Sequence, residues 1–210
     1  MKWHLLVYLT LVYLPSALRA SEAGTSEFDL DRLKGITLTT PSGLEYRLEP
    51  PLRKRVAILL FFPGTWDPHS VHALKILRNQ EAELTRKGFQ VLAVAPERPR
   101  VLRELVDEMD LSFVVLSDPE QATARLLGAL EPLTSQRSKQ LLDAGIRLES
   151  RIGFVPDALP SVSFYFFAED GRIGEVWKPD FPKEIINEDD LMRWAQRARE
   201  TEAFRNSEPR

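Results

Sequence analysis

Val56 to Phe62, VAILLFF, is an apolar run with no polar residue in it. A strand with one wet face alternates apolar and polar residues. A run this continuous needs cover on both faces, which is the situation of a strand inside a parallel or mixed sheet. It is therefore expected to be the central strand of a layered α/β structure. The residues that follow keep to that arrangement. Val71, Leu74, Leu77 and Leu84 recur at helical spacing between Pro68 and Lys87, and Gly88 ends the run. Phe89 to Ala95 is a second buried-type strand, Arg100 to Met109 a helix and Phe113 to Leu116 a strand. Pro119 to Leu127 reads as a helix opened by Ser117 or Asp118. Strands alternating with helices predict an α/β sandwich with right-handed crossovers.

On either side of this unit the pattern changes. Ile36 to Leu48 alternates about Pro41-Ser42-Gly43 and predicts an edge hairpin, closed by Pro50 and Pro51. Gly128 to Ala158 interrupts the alternation with a helix-like stretch, Ser135 to Ala144, and an irregular segment containing Gly153, Pro156 and Asp157. Beyond Leu159-Pro160, Val162 to Phe167 and Ile173 to Trp177 form a hairpin about Asp170-Gly171. Glu188 to Thr201 is a closing helix with Leu191 and Trp194 facing inward, and Asn206 to Arg210 are expected to fray.

The first twenty residues have the layout of a secretory signal peptide: Lys2, an apolar run from Leu5 to Leu14, then Pro15, Ser16, Ala17 and Ala20. The run is too short to span a bilayer. Cleavage fits after Ala20, with Ala17 and Ala23 as alternatives and an uncleaved anchor as the other outcome. The expected organisation is a signal peptide over 1–20, a leader over 21–35 and one domain over 36–205, in a protein that is periplasmic or secreted. A net charge of -3, with no long basic block, gives no footprint for nucleic acid or an anionic membrane. No integral membrane span is expected after signal removal.

The sequence contains no cysteine. Thiol peroxidation, disulfide exchange and thiolate metal binding all require that sulfur, so these residues perform none of them. This matters because of the segment FFPGTWDPHS, in which an apolar strand leads through Gly64-Thr65-Trp66 into a helix. It resembles the active-site region of the peroxiredoxin-like branch of the alkyl hydroperoxide reductase/thiol-specific antioxidant family. The resemblance continues through GFQVLAVAPE, FVVLSDPE and LPSVSFYFFAEDGRI and covers roughly residues 50 to 195. It implies a thioredoxin-like fold, a central mixed sheet flanked by helices, with an inserted helical segment before the last hairpin. It also implies that Pro160 matches the proline that faces the active site with a cis peptide bond. In that family a Cys-Pro-aromatic-Cys tetrad follows the tryptophan. Here the tetrad is Asp67-Pro68-His69-Ser70, so no catalytic residue is intact and the two family positions carry Asp67 and Ser70.

Taken from the residues, Asp67 is a helix N-cap, Pro68 occupies the first helical position and Ser70 the third. His69 and His72 lie three apart on one helix face, so Asp67, His69 and His72 are the only candidates for a weak metal site, opposed by the positive helix end. A hydrolytic role for Ser70 lacks both a nucleophile elbow and an aligned base. Arg98 and Arg100, near Glu97, could line the same pocket, as the family resemblance suggests, but a solvated charged loop is the preferred reading. Trp66, Pro63, Leu159 and Pro160 are expected to rim the cleft on which thioredoxin-like proteins receive extended peptides. The functional expectation is an exported, non-catalytic binding or scaffolding module for a peptide or protein ligand, with no cofactor. The alternative is an oxidoreductase of the family acting through a bound metal or cofactor.

Overall fold

The computed structural model describes residues 30–48, 56–179 and 184–207. The expected signal peptide, most of the leader, Pro50 and Pro51 lie outside the described residues. A 3-10 turn at Leu30–Leu33 precedes β1 (Leu38–Thr39) and β2 (Glu45–Tyr46), the hairpin expected about Ser42-Gly43. There follow β3 (Ala57–Phe61), α1 (Pro68–Arg86), β4 (Gln90–Ala95), α2 (Pro99–Met109), β5 (Val114–Ser117) and α3 (Ala122–Leu126). The inserted segment holds β6 (Leu130–Pro132), α4 (Ser135–Asp143), α5 (Leu148–Ile152) and β7 (Ala158–Pro160). The chain closes with β8 (Ser163–Phe167), β9 (Ile173–Trp177) and α6 (Glu188–Ser207).

The main sheet has the order β2-β1-β5-β4-β3-β8-β9, with β3, β4 and β5 parallel and β8 and β9 antiparallel. This is a mixed sheet flanked by helices, the thioredoxin-like arrangement. All five residues of β3 are buried, as its apolar run requires. Alternate side chains divide between two cores. Ile58 and Leu60 join α1, α2 and α6 on one face; Ala57, Leu59 and Phe61 join Leu33, α3 and the first hairpin on the other. Tyr165 closes against Phe61 edge-to-face at 5.5 Å, a pair adding about 0.5–1.5 kcal/mol beyond area burial. Trp177 stacks on Trp194 at 4.5 Å and docks α6 onto β9.

Four expectations are corrected. The middle strand of the seven is β4; β3 lies beside it. Helix α3 opens at Ala122 instead of Pro119, because Gln121 takes a left-handed φ of 57° that no helix can propagate through. Asp118 caps the late start, accepting from Ala122 N at 3.1 Å and Thr123 N at 2.9 Å. The inserted segment is more ordered than its composition suggests: β6 pairs with β7, and α5 forms where an irregular stretch was expected. Helix α6 runs on to Ser207, past the expected end at Thr201. Among the described residues no helix is long and apolar enough to cross a membrane.

Candidate functional site

The parallel strands end together, and the β3–α1 connection crosses this end of the sheet. Gly64 turns the chain at φ 157°, and the indole of Trp66 lies directly over it: a Cβ on Gly64 would stand 2.3 Å from Trp66 Nε1. Only glycine leaves room for that ring. Trp66 also meets the inserted segment, where it packs with Leu133 and Ile146 against a small separate core of Leu141, Leu148, Ile152 and Leu159. The Arg137 guanidinium sits 5.9 Å from the Trp66 ring centroid, a cation–π placement.

Helix α1 then starts as its residues dictate. Asp67 is extended at φ -90° and ψ 121°, Pro68 occupies the first turn, and Asp67 Oδ2 accepts from Ser70 N at 2.8 Å. The Ser70 hydroxyl donates to the same oxygen at 2.7 Å. Both side chains are buried, Ser70 completely. Asp67 and Ser70 therefore bond each other and cap the helix, and the Ser70 hydroxyl is closed off from solvent.

Behind the loop lies a polar network that the sequence did not reveal. The Glu97 carboxylate, fully buried, accepts from Thr65 N at 2.7 Å and from Arg151 Nη1 at 2.9 Å. Arg151 also donates to Thr65 Oγ1 at 2.9 Å, while its carbonyl accepts from Arg98 N at 2.8 Å. Burial pushes the Glu97 carboxyl above its ordinary range, against the opposing pull of the Thr65 N–H and Arg151. The reading of this loop as solvated is thus overturned at Glu97, although Arg98 and Arg100 are exposed. A hint was available: Glu97 follows the apolar, buried run Val91 to Ala95 and Pro96, where an acid is carried inward with it. Nothing in the sequence singled out Arg151, which arrives from α5 across 54 positions.

Pro63, Trp66, Leu159 and Pro160 are brought together around one hollow of about 290 Å³, joined by Asp67 and His69 from the start of α1 and by Leu133 and Arg137 from the insert. His72 does not share it: its Nε2–H donates to the Ile186 carbonyl at 2.8 Å, toward the start of α6. Asp67, His69 and His72 therefore do not converge, and no group of three potential ligands forms among the described residues.

The sequence pattern of the AhpC/TSA family matches residues 30–171, a span holding the sheet's parallel core, the tetrad and the insert. The chain belongs to the AhpC/TSA family. Among AhpC/TSA relatives, a Haemophilus influenzae protein designated peroxiredoxin bcp is 29% identical over 76 residues, which is 36% of this chain and 49% of the relative. The chain thus spans about half the length of that curated relative. Solved structures carry the fold comparison further. The peroxidoxin BcpB of Mycobacterium tuberculosis superposes with a TM-score of 0.59 at 14% identity, covering 79% of this chain and 92% of that one. A cysteine-to-serine mutant of Xanthomonas campestris peroxiredoxin Q gives 0.62 at 13% identity, covering 80% and 94%. At these identities the likeness is one of fold.

Proposed function

We propose that this AhpC/TSA member is an exported binding module that has no thiol chemistry and receives a peptide or protein segment in the hollow beside Trp66. The observation that carries the reading is the contrast between the two halves of the site. Where sulfur chemistry would sit, Asp67 and Ser70 are buried and bonded to each other. The hollow next to them stays open, with an apolar rim of Pro63, Trp66, Leu159 and Pro160. A concavity that sets apolar side chains beside polar groups able to fix a ligand's orientation is a usual form of ligand site. Export is proposed from the charged start and short apolar run of residues 1–20, with 36–205 as the exported domain.

The test is affinity capture from the compartment that receives the protein, comparing wild type with Trp66→Ala, each first shown to be folded by circular dichroism. Partners held by wild type and lost on Trp66→Ala support the reading. The same set on both proteins would contradict it.

A further inference from the structure

The insert forms a pocket of its own. A concavity of about 790 Å³ lies among α4, α5 and the chain leading into β7, and every residue lining it falls within 133–156. That volume is within the ~300–1,000 Å³ of small-molecule sites. Leu133, Leu141, Leu142, Ile146, Leu148 and Val155 make its walls mainly apolar. Leu141 and Leu148 are buried in the insert's small core, whereas Leu142 and Val155 are 58% and 61% exposed where the concavity opens. Large apolar side chains left exposed on two different elements around one concavity gain most from an occupant that covers them both.

The charges around this pocket cancel. Lys139, Arg147 and Glu149 line it, and the Lys139 ammonium is held by Asp143 at 2.6 Å. That leaves Arg147 and Glu149, two positions apart at the start of α5, to offset each other. The rest of the polar lining is hydroxyl, from Ser135, Ser138 and Ser150. The Ser150 hydroxyl donates to the Arg147 carbonyl at 2.8 Å, while Ser135 and Ser138 bring hydroxyls able both to donate and to accept. An ion entering here would give up hydration without meeting a net opposite charge, whereas an uncharged molecule has no such cost.

We infer that the insert pocket binds an uncharged amphiphile, one that lays an aliphatic or aromatic body against Leu142, Ile146 and Val155 and turns a hydroxyl or carbonyl toward Ser135 or Ser138. This site is separate from the hollow beside Trp66, and its occupant is of a different class from the peptide proposed there. Covering the apolar walls supplies the affinity, and the balance of Arg147 against Glu149 sets the preference for a ligand without charge.

The experiment uses N-phenyl-1-naphthylamine, an uncharged fluorophore that brightens in apolar surroundings, bound to the full chain and displaced by dodecanol, dodecanoate or dodecyltrimethylammonium. These three share a chain length and differ in charge. Leu142→Gln and Val155→Gln alter the opening of the pocket, and Leu44→Gln, 67% exposed on the first hairpin, is the control for adventitious contact with an apolar side chain. All three replaced side chains are exposed, and circular dichroism checks that each variant is folded. Dodecanol is expected to bind most tightly, without dependence on salt. It should lose about tenfold in affinity on either substitution at the opening and nothing on Leu44→Gln. The charge balance has its own readout: Glu149→Gln leaves Arg147 unopposed and should strengthen dodecanoate but not dodecanol, and Arg147→Gln should do the same for dodecyltrimethylammonium. Tighter binding of either ion than of dodecanol by wild type overturns the inference, as does an equal loss on Leu44→Gln or a failure of the fluorophore to bind. Sedimentation velocity tests the other occupant: a dimer that is lost on Leu142→Gln and that dodecanol does not dissociate would assign this face to a second copy of the chain and contradict the inference.

Discussion

Asp67 Oδ2 holds two donors at once, the Ser70 N–H at 2.8 Å and the Ser70 hydroxyl at 2.7 Å, in a place closed to water. Asp67→Ala therefore removes more than a cap. The lost N-cap costs about 1 kcal/mol, and the stranded Ser70 hydroxyl adds about 1–2 kcal/mol. Urea denaturation is expected to show a loss of about 2–3 kcal/mol, largely recovered in Asp67→Asn, which keeps an acceptor. A loss no larger for Asp67→Ala than for an exposed substitution would show that the pair is not formed. Glu97 makes a different prediction, in pH. Its carboxyl is raised by burial, and so is that of Asp118, despite the N–H groups of Thr123 and Ala122. A raised carboxyl binds its proton more tightly in the folded state, so its contribution to stability is full below the ordinary carboxylate range and is lost as pH rises through the raised value. The melting temperature is expected to rise as pH falls from neutral toward the ordinary carboxylate range, and Glu97→Gln should flatten that rise. An identical profile in the variant would remove Glu97 as its source.

Among the elements, those with a periodic or unbroken apolar pattern are legible in the sequence alone. β3, α1, β4 and β8 appear within a few residues of their expected limits, because each carries an unbroken or periodic apolar pattern that is buried in the core. The insert is legible only in part. Its apolar residues do not serve the main cores but a satellite of Leu141, Leu148, Ile152 and Leu159, and a five-residue helix such as α5 is too short to leave a period. The rim residues of the hollow follow from the family resemblance, and the structure gathers them in one place. The Glu97–Arg151–Thr65 network is not legible, since contacts that distant leave no local pattern. The separate core predicts separate behaviour. Ile152→Ala, which removes a buried side chain worth about 2–4 kcal/mol, should raise hydrogen exchange in α4 and α5 while leaving the amides of β3 and β4 protected. Uniform acceleration across the sheet would show that the insert unfolds only with the whole chain.

For the molecule as a whole, the AhpC/TSA scaffold is present while cysteine is absent from the sequence. The central claim is that Asp67 holds the family's position at the start of α1, where the helix's first N–H groups converge, and uses it for capping. Putting a thiol there tests this directly. In Asp67→Cys, the Ser70 N–H and hydroxyl that now serve the carboxylate, with the helix end behind them, would favour a thiolate, so the cysteine should titrate below the ~8.5 of a free thiol. The measurement is the ultraviolet absorbance of the thiolate as a function of pH, with Lys75→Cys, exposed midway along the same helix, as the control. The account predicts a clearly lower pKa at position 67 than at position 75. A thiol at 67 that titrates at or above the control would mean that this helix end does not stabilise an anion, and the reading of Asp67 as the occupant of the family's active-site position would fail.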